Sequence, residues 1–204
     1  MRTITSMINP QSSTEKHLDH MTNNSSDQPS RGEQPADSQT CIEIYTDGSS
    51  IGNPGPGGYG GVLVRRDAFG TVAKEREFSG SSQTITTNIR MEMTAALEGL
   101  RSLGRKTAEP ITVFCDCNLI PNGMNQWLAG WKANGWHTGK GKGKGKGKGK
   151  QVENQDLWAK LEAEAEGRNV TWQWVRGHSG TDLNERADRL AYRMARMAES
   201  KGTR

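Results

Sequence analysis

From residue 41 onward the chain carries two alternating rhythms of apolar and polar positions, one of period two and one of period three to four. Residues 42–47, IEIYTD, alternate and are β-branched, and Gly48 and Ser49 follow, which predicts a strand closed by a turn. Residues 59–66 and 71–79 predict two further strands joined by the turn sequence DAFG at 67–70, hence a hairpin or meander. Met93, Ala96, Leu97, Leu100 and Leu103 recur at three- and four-residue steps and predict a helix over 89–103. The apolar run 111–115 after Pro110 predicts a short buried strand, and 170–175 another. Helical segments are expected over 118–131 and 155–166. A closing helix over 182–198 would present the stripe Leu183, Ala187, Leu190, Ala191 and Met194. Strands separated by helices pair in parallel and an opening meander pairs antiparallel. The expected class is therefore α/β, with a five-stranded mixed sheet covered by helices on both faces.

Residues 1–40 are polar, with hardly an aliphatic cluster, so they cannot bury enough surface to offset chain entropy. They are expected to form a disordered polar tail, leaving 41–204 as one domain. No run approaches the roughly 18 to 20 apolar residues of a membrane span, and no apolar leader opens the chain. The three cysteines, Cys41, Cys115 and Cys117, are an odd number without framework spacing, which suits a reducing compartment. A soluble, cytoplasmic, monomeric protein without membrane contact is the expectation.

The formal net charge of +4 is unevenly placed. The tail carries three basic and five acidic side chains, so the remainder is +6, and six lysines of that remainder sit in the Gly-Lys repeat at 139–150. Glycine gives flexibility and like charges repel, so a mobile arm that grips phosphates by counterion release is expected there. The repeat lacks the spacing of a phosphate-binding loop, and GPGGYG at 55–60 is followed by a strand-like segment where a dinucleotide site needs a helix, so it reads as a glycine turn.

Four carboxylates stand at element ends. Asp47 closes the first predicted strand, Glu92 lies in the first turns of the long helix, Asp116 follows the buried strand, and Asp188 sits in the last helix. Any one alone reads as a solvated or helix-end charge. Asp47 and Asp116 close apolar strands at the carboxyl end, where open α/β sheets place their sites. Converging carboxylates need a cation to stay ionised, and an oxygen-only donor set favours Mg2+, with Mn2+ as the alternative.

The run YTDGSSIGNPGPGGYGG at 45–61, TNIRMEMTAALEGL at 87–100, the Asp116 strand end, NQWLAGWKANGW at 125–136, NQDLW at 154–158 and WQWVRGHSGTDLNERADRLA at 172–191 resemble, in order and spacing, the bacterial type-one ribonuclease H family. The resemblance covers residues 42–195. It implies a ribonuclease H-like fold and a two-metal endonuclease that cuts the RNA strand of an RNA–DNA hybrid, leaving 5′-phosphate and 3′-hydroxyl ends. It also implies that Asp47, Glu92, Asp116 and Asp188 bind metal and that His178 serves as a mobile histidine aiding proton transfer or product release. Asn53, Thr87, Asn88 and Asn118 fall where the family places polar groups near the substrate strands, the first three in expected loops. Trp127 and Trp131, at an i,i+4 spacing beside the lysine repeat, are either core or a groove for the DNA strand, and the resemblance favours the groove. Trp136, Trp158, Trp172 and Trp174 are left to packing.

The chain departs from the family at Ile89, where a polar amide is usual, and at Cys117, Leu119 and Ile120, where Ser, an aromatic and Val are usual. Losing a hydrogen-bonding partner there would weaken activity. A binding module that kept the fold without catalysis would not require all four carboxylates and His178. Resolvase- or transposase-type nucleases of the same broad fold lack the GNPGPGGYG and GH motifs.

Overall fold

A computed structural model describes residues 39–104, 107–139, 147, 149–177 and 182–202, all within the unit Pro35–Arg204. Residues 1–38 of the tail expected over 1–40 lie outside the described residues, as do 140–146 and 148 of the Gly-Lys repeat and His178.

The strands are β1 (Cys41–Ser50), β2 (Gly57–Arg66), β3 (Val72–Ser81), β4 (Ile111–Cys115) and β5 (Val170–Trp174). They form one sheet in the order β3-β2-β1-β4-β5. The meander β1–β2–β3 is antiparallel, and β4 and β5 add in parallel beside β1. The helices are α1 (Asn88–Arg101), α2 (Leu119–Asn122), α3 (Leu128–Ala133), α4 (Gln155–Ala165) and α5 (Asp182–Ser200), with a π-helical turn, Gly123–Trp127, joining α2 to α3. The α/β class, the mixed five-stranded sheet and helices on its two faces match the expectation.

The alternation of side chains along a strand divides the core. Ile42, Ile44, Leu63, Ile111 and Val113 face α1 and α4 and form the main apolar cluster with Met93, Leu97, Leu100, Trp158 and Leu161. The opposite face carries Gly58, Gly60 and Val62 of β2, and α5 lies directly on it. A Cβ on Gly58 would stand 2.3 Å from the Ala195 backbone nitrogen, and one on Gly60 would stand 2.5 Å from the Leu190 Cβ. These glycines serve close packing of a helix on a sheet, so the predicted glycine turn at 55–60 is in fact largely strand, with β2 beginning at Gly57.

The same cause extends β1. Gly48 and Ser49, expected as a turn, pair with Tyr59 and Gly58 inside the ladder. A Cβ on Gly48 would lie 2.0 Å from the Glu92 nitrogen, so this glycine admits the backbone of α1. The apolar stripe of α5 is also rotated from the expected one: Asn184, Ala187, Leu190, Ala191, Ala195 and Ala198 are buried, with Leu183 and Met194 at its margins.

At the base of the Gly-Lys repeat the chain pairs with itself. Thr138 N–H donates to the Lys150 carbonyl at 2.9 Å, Gly149 N–H to the Gly139 carbonyl at 2.8 Å, and His137 bridges Gln151. Among the described residues no helix is long and apolar enough to cross a membrane.

Candidate active site

Strand register brings the first two carboxylates together. Tyr45 and Phe114 are partners in the parallel β1–β4 ladder, and their rings stack at 4.5 Å. Asp47 and Asp116 each lie two residues further along, on the same face and at the same carboxyl end. Asp47 also sits opposite Gly60, where the missing side chain leaves room for α5.

Helix α1 brings the third. Thr87 caps it, its hydroxyl accepting the Arg90 N–H at 3.3 Å, an interaction worth about 1 kcal/mol. Arg90 holds Asp156 of α4 through two bonds of 3.0 and 2.8 Å. One half-turn later Glu92 reaches the end of β1, where its Oε2 accepts the Gly48 N–H at 3.0 Å.

Ligand oxygens of Asp47, Glu92 and Asp116 consequently lie within 4.8 Å of one another. Asp188 stands outside this set of three, yet its charge acts on both Asp47 and Glu92. Burial, followed by repulsion from Asp116 and Asp188, pushes the Asp47 carboxyl up to about 8. Glu92 is held well above the usual carboxylate range by burial first, then by Asp47 and Asp116, with the Gly48 N–H opposing and Asp188 adding. Among the described residues, the Gly48 N–H is the group that favours ionisation of Glu92. Buried, mutually repelling oxygens suit a hard divalent cation.

The expected substrate residues are placed less uniformly. The loop after β1 is tied to the start of α1 by paired backbone bonds between Gly55 and Thr86. This sets Asn53 beside Asn88, whose N–H donates to Asn53 Oδ1 at 3.2 Å. Thr87 and Asn88 were expected in a loop; the first caps α1 and the second is its first residue, because the Thr87 hydroxyl satisfies an otherwise unpaired helix N–H. Asn118 is exposed just before α2, two residues past Asp116.

Trp127 is 37 % exposed, whereas Trp131 is half-buried with its ring against both Trp127 at 5.6 Å and the fully buried Trp158 at 5.4 Å. The two open onto a groove of about 440 Å³ shared with Gln126, Asn134 and His137, at the foot of the Gly-Lys repeat. Trp131 therefore belongs to core and groove together.

The unusual residues near the site turn inward. Ile89, Cys117 and Leu119 pack against the main apolar cluster and Ile120 is fully buried within it. Burial also raises the Cys117 thiol.

Two positions escaped the sequence reading. Asn184 is 2 % exposed, one turn before Asp188, and its Oδ1 has no hydrogen-bond partner among the described residues. A polar residue in phase with Ala187 and Ala191 was its signal. Trp174, left to packing, is 49 % exposed beside Asp116.

Comparison with known proteins agrees with this arrangement. The family model described as RNase H matches residues 39–196. The chain is 46 % identical over 150 residues to a ribonuclease H of Francisella philomiragia, covering 74 % of this chain and 88 % of that protein. Among solved structures it is similar to LC9-RNase H1, a type 1 enzyme with the type 2 active-site motif, at 29 % identity, a TM-score of 0.63 and coverage of 78 % of this chain and 74 % of that one. It is also similar to LC11-RNase H1 in complex with RNA/DNA hybrid, at 25 % identity, a TM-score of 0.55 and coverage of 78 % and 99 %. With its carboxylate cluster at the carboxyl ends of β1 and β4, the chain belongs to the ribonuclease H family.

Proposed function

We propose that this chain is an endonuclease that hydrolyses the RNA strand of RNA–DNA hybrids, leaving 5′-phosphate and 3′-hydroxyl ends. The observation that carries this reading is the convergence of Asp47, Glu92 and Asp116 oxygens within 4.8 Å. A relative of the same fold is solved with a hybrid bound.

Asp47, Glu92 and Asp116 hold divalent cations, Mg2+ with Mn2+ as the alternative, and Asp188 adds negative charge from α5. Held there as a pair, such ions would supply activation of the attacking water and stabilisation of the leaving oxygen. Gly48 orients the Glu92 carboxylate by its N–H. His178, by its family position, moves a proton or helps release product. Asn53, Thr87, Asn88 and Asn118 border the strand path, and the Trp127–Trp131 groove receives the DNA strand by stacking. Discrimination of RNA from DNA rests on the 2′-hydroxyl, the group that distinguishes them. The protein works as a cytoplasmic monomer.

The test is cleavage of an end-labelled RNA–DNA hybrid beside double-stranded RNA and double-stranded DNA, with Mg2+ and with chelator. Only the hybrid should be cut, and only with the cation. Asp47→Asn should abolish cutting while hybrid binding persists. Cutting that continues in chelator would overturn the reading.

A further inference from the structure

Trp174 ends β5, and its ladder partner is Cys115, the residue before Asp116. Its indole would pack inward if its role were apolar burial, as that of Trp172 does at 6 % exposure; instead it is 49 % exposed. The indole N–H donates to the backbone carbonyl of Asp116 at 2.9 Å. The next residue, Val175, donates its N–H to the Cys115 carbonyl at 3.0 Å. Two residues further, a Cβ on Gly177 would stand 2.7 Å from Asp116 Oδ2.

Residues 174–177 thus bracket Asp116 from both sides. Two consecutive carbonyls where β4 ends are held by donors from Trp174 and Val175, and the carboxylate lies close to Gly177. The first contact matters because Asp116 is past the last paired residue of β4, where the ladder no longer fixes the backbone. A carbonyl rotating there would swing the carboxylate away from Asp47 and Glu92.

We infer that Trp174 is a positioning residue for the reaction: its indole N–H locks the Asp116 peptide so that the carboxylate faces the other two ligands. This inference rests on the reading of Asp116 as a cation ligand. Trp174 acts through its bond to the Asp116 carbonyl.

The test substitutes Trp174→Phe, which keeps a ring and removes the N–H, and titrates Mg2+ into the full-length protein by calorimetry without nucleic acid. In parallel, the Mg2+ concentration for half-maximal hybrid cleavage is measured for wild type and variant. A neutral hydrogen bond of ordinary strength corresponds to about three- to tenfold in an equilibrium. Mg2+ binding should weaken by roughly that factor, the half-maximal Mg2+ concentration should rise with it, and the KM for hybrid at saturating Mg2+ should stay unchanged. Gly177→Ala, which displaces the carboxylate from the other side, should give the same signature, so the proposal does not depend on one variant. If wild type binds Mg2+ and cleaves hybrid while Trp174→Phe matches it in both titrations, the positioning role is overturned and the nuclease reading stands. If wild type neither binds Mg2+ nor cleaves hybrid, the reading beneath it falls as well.

Discussion

The backbone N–H of Gly48 donates to the Glu92 carboxylate at 3.0 Å, joining the end of β1 to the second turn of α1 across the floor of the acidic cluster. The contact depends on the absent side chain, since a methyl on Gly48 would stand 2.0 Å from the Glu92 nitrogen and 2.2 Å from the Met91 carbonyl carbon. Neither obstacle is a flexible side-chain end, so α1 itself must move. Gly48→Ala should cost about 1–3 kcal/mol in denaturant unfolding, the usual range for overpacking. Cleavage should fall by about 100-fold, as misplacement of catalytic groups by an ångström does. Equal kcat in wild type and variant would show that the helix can shift without moving its carboxylate.

The cluster also sets a pH dependence. In the folded chain Asp47 titrates at about 8, whereas an unfolded aspartate titrates near 3.9. The folded state therefore binds more protons across that interval, and unfolding free energy must fall as pH rises through it. Without divalent cation, Tm should be lower at pH 8 than at pH 5, by about 5–10 °C for a few kcal/mol in a chain of this size. Asp47→Asn should flatten this slope and raise Tm at pH 8. Adding Mg2+ to wild type should recover more stability at pH 8 than at pH 5, because cation and proton compete for the same oxygens, and about 2.7 kcal/mol is available at 100 times the dissociation constant. Thermal scans in chelator and in Mg2+ would read all three.

What the sequence disclosed and what it hid divide along physical lines. The strand Ile111–Cys115 was legible to the residue because Pro110 precedes it and Asp116 ends its apolar run. Asp47 and Asp116 were legible for the related reason that each follows an apolar strand. The end of β1 was not, because a glycine that relieves a clash with a helix 44 residues away looks locally like a glycine that makes a turn. The face of α5 was misjudged for a similar reason. Periodicity admits neighbouring phases, and only contact with Gly58 and Gly60 selects the one that buries Ala195 and Asn184. Trp174 was hidden because its partner is a backbone carbonyl, which no side-chain pattern records.

The two groove tryptophans should separate by experiment. Trp131 packs edge-on against fully buried Trp158, so Trp131→Ala should cost about 3 kcal/mol in stability, near the low end for emptying an aromatic site. Trp127 is exposed, with its ring against Trp131. Trp127→Ala should leave Tm nearly unchanged while raising the KM for hybrid by about tenfold, the scale of one lost base–aromatic stack. A Trp127→Ala enzyme with unaltered KM would return this residue to a purely structural role.

The Gly-Lys repeat can be removed with little disturbance because the chain already closes at its base. Thr138 pairs with Lys150, and Gly149 N–H meets the Gly139 carbonyl at 2.8 Å. Deleting 140–148 would join Gly139 to Gly149 as a two-residue glycine hairpin, a loop length and composition that antiparallel chains favour. The deletion removes five lysines and spares Lys150, which is held by Glu153 at 2.6 Å. Each phosphate contact contributes about 0.9 to the slope of log affinity against log salt on a duplex. If all five lysines meet phosphates, that slope should fall by about 4 to 5, with a KM increase on the order of tenfold at physiological salt and kcat unchanged. The carboxylate cluster lies elsewhere in the fold, so the Mg2+ requirement should be the same in both proteins. Unchanged KM and salt slope in the deletion would mean that the lysines contribute nothing to hybrid binding and that the groove at Trp127 and Trp131 acts without them.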